Sequence, residues 1–201
     1  MKFQILKTKC GCTEKIFISI LGLVLCVLTY KIFSIEMSFL NILIYLLLVI
    51  LFLTLAFLAY YDIKKMEVHN TLSFILMAIL LIVNIVLFFV FKNNLDIKII
   101  RDWIYNPYEN MIGALILGSI FQLIVLLSKE KALGQGDVRI AIIAGLLIGY
   151  THLIYWGYIT VFSALIYGLI VGIKRKKIKE VKIPFVPFMM LGVIVLLLYF
   201  F

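Results

Sequence analysis

Leu133-Gly134-Gln135-Gly136-Asp137-Val138-Arg139 lies where the polar stretch Ser128-Lys129-Glu130-Lys131-Ala132 gives way to the apolar run Ile140-Ala141-Ile142-Ile143-Ala144-Gly145-Leu146-Leu147-Ile148-Gly149. An ionised carboxylate at the edge of such a run costs a few kcal/mol if the run enters a bilayer. Asp137 at this boundary is therefore a candidate functional group. Two glycines just ahead of it remove side-chain bulk and permit backbone conformations closed to other residues. A second carboxylate stands at the end of an earlier apolar run, in Tyr60-Tyr61-Asp62-Ile63-Lys64-Lys65.

The chain around these two residues is apolar to a degree that decides its class. Of 201 residues 65% are hydrophobic and 14% charged, and the mean hydropathy is +1.20. Soluble domains are nearer half apolar, and stretches of about 20 apolar residues mark membrane spans. The composition thus predicts an all-α polytopic membrane helix bundle forming one domain. Seven spans are expected, over residues 16–35, 39–61, 71–91, 110–127, 138–150, 153–173 and 184–201. The fifth is short. Residues 1–15 form a basic tail, and residues 16–201 the membrane-embedded domain, with 16–35 an extra first span. That span has the basic start of a signal peptide but is long and lacks a small-x-small cleavage site, so it is expected to be retained.

Topology follows from the basic residues. With the N-terminus inside, the tail and the loops before spans three, five and seven, counting Arg139 at the edge of span five, hold 15 of the 19 Lys and Arg residues. Cytoplasmic loops carry that excess, so the N-terminus is placed in the cytoplasm. The same bias accounts for the net charge of +9 and draws anionic membrane lipid. It removes the need for nucleic acid, for which no basic-aromatic surface is present. The run Lys174-Arg175-Lys176-Lys177-Ile178-Lys179 serves orientation and lipid contact in this scheme. Cys10 and Cys12 form a lone Cys-Gly-Cys with no second cluster, and Cys26 lies within an apolar run. Neither a disulfide framework nor a four-ligand zinc site is expected, and no metal or cofactor is assigned.

This topology sorts the four aspartates. Asp96 and Asp102 fall in the outer loop, Asp62 and Asp137 on the inner face, each at a helix end. Two neighbouring carboxyls share a proton, because like charges push one pKa up. Such a pair supplies the ionised group that activates water and the protonated group that polarises a scissile carbonyl. The blander account is that each aspartate caps a helix or pairs with Lys64, Lys65 or Arg139. Spacing leaves both open.

Three segments add a resemblance. Gly134-x-Gly136-Asp137-Val138-Arg139, with Gly145 and Gly149 downstream, resembles the GxGD segment of the type IV prepilin peptidase family. Asp62-Ile63-Lys64-Lys65-Met66-Glu67-Val68-His69-Asn70 is similar to that family's first motif. Ile183-Pro184-Phe185-Val186-Pro187-Phe188, followed by Gly192, looks like its last-helix signature. The resemblance runs from about residue 55 to 192. It implies a membrane aspartic endopeptidase that removes the short basic leader from pilin, pseudopilin or archaellin precursors at the cytoplasmic membrane face. Asp62 and Asp137 are then the catalytic carboxylates. Gly134 and Gly136 shape the cleft against the substrate backbone, and Pro184 and Pro187 loosen the start of the last span, since proline lacks a backbone donor. Glu67 and Glu130, in lysine-bearing loops, are candidate contacts for the basic leader or else solvated ion pairs.

Two departures qualify the resemblance. His69 stands where the family has proline, and is expected to be a solvated turn residue. The paired-cysteine clusters of bifunctional members are absent, so no methyltransferase activity is expected. Two rivals remain in view. A presenilin or signal-peptide-peptidase-like intramembrane protease also carries Tyr-Asp and Gly-x-Gly-Asp. A non-enzymatic transporter or pilus-assembly protein would place polar groups midway along its spans, where this chain has only scattered residues such as Asn84 and Gln122.

Overall fold

The computed structural model describes residues 39–90, 97–100, 103–130, 133–175 and 183–200. The tail, the first expected span, all three cysteines, Asp96, Asp102 and most of the basic run after Ile173 lie outside them. Six α-helices are described: α1 (Phe39–Lys65), α2 (Asn70–Val90), α3 (Pro107–Ser128), α4 (Gln135–Ile148), α5 (Leu153–Arg175) and α6 (Val186–Phe200). The chain divides into two compact units, Met1–Leu51 and Phe52–Phe201. Of the first, only the helical stretch from Phe39 onward is described. The second holds the rest of the architecture.

Four stretches are long and apolar enough to cross a membrane: Leu46–Lys65, Asn70–Val90, Pro107–Ser128 and Tyr150–Ile173. These are the second, third, fourth and sixth expected spans. The fifth is short, as its sequence indicates: α4 has 14 residues, about 21 Å at 1.5 Å per residue, against a hydrocarbon core of about 30 Å. The seventh is also short, α6 having 15 residues.

α4 is the centre of the second unit. It packs against α2, α3 and α6, and α5 packs on α6. From Val138 onward nearly every α4 side chain is buried, Ala141 completely. Its closest neighbour is α3. A β-carbon at Gly145 would lie 2.5 Å from the Ala114 amide nitrogen, so the two backbones touch where glycine leaves room. Small residues permit such approaches in membrane bundles. α5 is tied to α6 by Trp156, 2% exposed, whose indole N–H donates to the Met189 carbonyl at 3.1 Å. The opposite faces of the long helices are apolar and exposed, with Leu115, Leu127 and Ile154 about 70% exposed or more. Such a surface suits lipid.

The segment before α3 departs from expectation. Residues 92–109 have the polarity of a loop, yet Ile97–Ile100 and Trp103–Tyr105 pair as an antiparallel hairpin. The all-α description therefore holds for everything described except this hairpin. β-branched and aromatic residues on both arms favour strands even beside charges. α3 begins at Pro107, three residues earlier than expected. Asn106 caps it, its side-chain oxygen accepting from the amides of Tyr108 at 3.1 Å and Glu109 at 3.4 Å, and proline fits the first helical position.

Candidate active site

The site is built where α1 ends, α2 and α4 begin, and α6 begins. α1 stops because Met66 adopts a left-handed conformation, φ 55°, with its amide donating to the Asp62 carbonyl at 2.8 Å. α2 restarts four residues later under a cap supplied by His69, whose Nδ1 accepts from the Leu72 amide at 3.3 Å. His69 is thus a half-buried capping residue rather than a solvated one. Its ring lies edge-on to Tyr61, centroids 5.3 Å apart, and braces the chain beside Asp62.

Asp62 and Asp137 line one cleft. Its volume is ≈ 290 Å³, and Met66, Glu67, Val68, Asn70, Gly134 and Gly136 complete the lining. Asp62 is 5% exposed. Each carboxylate accepts a backbone hydrogen bond through Oδ2. Asp62 accepts from the Val186 amide at 3.0 Å. Asp137 accepts from the Gly134 amide at 3.0 Å, the helix-capping contact anticipated as the blander account. Capping and cleft-lining coexist in the same side chain. Asp137 stands ahead of the apolar stretch that opens at Val138. Burial pushes its carboxyl up, and the Gly134 N–H offsets part of that rise.

The other sequence candidates distribute unevenly. Glu67 is exposed on the cleft wall. Glu130 does not line it; its backbone, at φ 60°, closes the end of α3 by donating its amide to the Val125 carbonyl at 3.1 Å. Gly134 is exposed at the mouth. Gly136 packs against Val68, where a β-carbon would fall 2.5 Å from the valine Cβ. Pro184 and Pro187 flank the site rather than line it. Phe185 opens α6, its carbonyl accepting from the amides of Phe188 and Met189. Val186 is the first residue of the helix, so its N–H has no intrahelical partner and is free for Asp62. Pro187, at the second helical position, has no N–H to satisfy.

Sequence reasoning passed over one of these groups and gave another the wrong partner. Val186 contributes through its backbone, which leaves no residue-type signal. Arg139 contributes through a guanidinium that reaches α2 rather than either aspartate: Nη1 donates to the Asn70 side-chain oxygen at 2.8 Å and to Ser73 Oγ at 3.4 Å. Its place two residues after Asp137 was the available clue, since residues that far apart on a helix face different ways. Among the described residues, no group of three or more His, Cys, Asp or Glu side chains is arranged to hold a metal ion.

A family model for the type IV leader peptidase family matches residues 49–173. The chain belongs to the type IV leader peptidase family. The matched segment runs from within α1 to near the end of α5 and contains both cleft aspartates; Pro184 and Pro187 fall beyond it. No curated protein and no solved structure matches the chain. Membership in this family makes the chain a leader-peptidase-like membrane protease with a membrane protein as substrate.

Proposed function

We propose that this leader peptidase is an aspartic endopeptidase of the cytoplasmic membrane that removes the short basic leader from type IV prepilin-like precursors. The observation that carries the proposal is the pair Asp62 and Asp137 lining one cleft. One carboxylate activates water while the other, holding the shared proton, polarises the scissile carbonyl; the proton is then redistributed as the tetrahedral intermediate collapses. Titration belongs to the pair rather than to either member.

Three features support the substrate assignment. The cleft lies where apolar helices end, so a precursor can present a peptide bond there while its own apolar helix stays in lipid. Among the described residues, Asp62, Asp137 and Glu67 give the lining three carboxyl groups and no basic side chain, a setting suited to a cationic leader. The excess of basic residues on the loops of this side makes it the cytoplasmic face, with the N-terminus of the 16–201 membrane domain also inside. Gly134 at the mouth leaves room for the substrate backbone.

The test is co-expression with a tagged pilin-like precursor and mass measurement of the product. The expected cut falls just after the basic leader, ahead of the mature apolar helix. A cut within that helix would instead make the chain an intramembrane protease of the presenilin type.

A further inference from the structure

The two walls of the cleft come from segments far apart in sequence. One is the start of α2, with Val68 and Asn70; the other is the start of α4, with Gly134, Gly136 and Asp137. Two contacts among the described residues join them at the cleft. One is the packing of Gly136 on Val68. The other is Arg139, whose Nη1 donates to Asn70 Oδ1 at 2.8 Å and Ser73 Oγ at 3.4 Å, with the guanidinium carbon 4.0 Å from the Phe74 ring centroid. A hydrogen bond, a hydroxyl contact and an aromatic face therefore grip one planar group from the first turns of α2.

This placement also keeps the cation off the dyad. An arginine paired with Asp137 would hold that carboxylate ionised and remove the shared proton. Arg139 is spent on neutral partners instead.

Resting on the peptidase reading above, we propose that Arg139 is a positioning residue that sets the separation of the cleft walls and so the aim of the Asp137 carboxyl. The role depends on shape. Lysine keeps the charge but lacks the planar fork and the stacking face. A role in orientation or lipid attraction, by contrast, is met by any cation.

The test measures kcat and KM on a leader-bearing precursor for wild type, Arg139→Lys, Arg139→Gln, Asn70→Ala and the Arg139→Gln/Asn70→Ala double variant. Thermal midpoints in detergent normalise each rate to folded enzyme. A misaimed catalytic group lowers kcat, so Arg139→Gln should lose on the order of 10- to 100-fold in kcat, with KM within about 3-fold of wild type. Arg139→Lys should fall between. Adding Asn70→Ala to Arg139→Gln should cost nothing further, since the contact is already gone.

Full kcat in Arg139→Lys, additive losses in the double variant, a rise confined to KM, or a loss explained wholly by unfolded protein would each overturn the positioning role. If wild type cleaves and Arg139→Gln cleaves with normal kcat, only this inference fails. If wild type leaves every leader-bearing precursor intact, the function proposed above fails and takes the inference with it.

Discussion

At the scale of single residues, Asp137 does two things at once. Through Oδ2 it accepts the Gly134 amide and caps its own helix, and it faces a second carboxylate across the cleft. The capping bond favours the ionised form while burial favours the neutral one. A pair that needs one proton should then give a bell-shaped dependence of kcat on pH, falling in acid as the second proton binds and in base as the shared proton leaves. Burial of Asp137 displaces the alkaline limb above the ordinary carboxylate range; a plateau running unbroken from acid to strongly alkaline pH would count against a shared proton. Gly136 gives a steric prediction. A methyl group there meets Val68 at 2.5 Å, so Gly136→Ala must push the α2 start away. Overpacking of this kind costs about 1–3 kcal/mol, visible as a lower thermal midpoint, and activity should drop together with it. Val68→Ala in the same chain should restore both in part.

At the scale of elements, the short helix α4 explains much of the arrangement. Its 14 residues bring the glycine–aspartate turn into the protein, and its burial against α2, α3 and α6 fixes the turn in place. Its length was legible in advance, because the apolar run from Ile140 is interrupted at Gly149. The hairpin before α3 was not: Lys98, Arg101 and Asp102 mask the β-branched and aromatic residues between them, and a charge-rich stretch reads as loop. The cap at His69 escaped for a different reason, since histidine is not among the usual N-cap residues. The α5–α6 contact carries its own prediction. Trp156→Phe deletes the indole N–H that donates to the Met189 carbonyl, a loss of about 0.5–1.5 kcal/mol. Calorimetry in detergent should show the lower midpoint, while kcat per folded molecule stays unchanged because the site lies elsewhere.

For the whole molecule, membrane residence and family were both readable from residues: the first from hydropathy, the second from three motifs in order around Asp62, Asp137 and Pro184. The family match over residues 49–173 covers the first two motifs. What the sequence left open was which residues meet. Asn70 and Arg139 are 69 positions apart, and no periodicity relates them; nor does any side-chain pattern mark the Val186 amide as a partner of Asp62. The topology is a further prediction at this scale. In a chain whose three cysteines are changed to serine, a single cysteine at Glu67 should react with an impermeant thiol reagent from the cytoplasmic side. One at Thr151, at the far end of α4, should react from the opposite side. Labelling of both from one side would contradict the proposed orientation.

The most direct measurement is leader removal by wild type, Asp62→Asn and Asp137→Asn on a tagged pilin-like precursor, with each variant shown to be folded by its thermal midpoint. Asparagine keeps size and polarity but cannot ionise or carry the shared proton. Wild type should trim the precursor and both folded variants should leave it intact, a loss of several orders of magnitude. Cleavage at the wild-type rate by either variant would contradict the dyad.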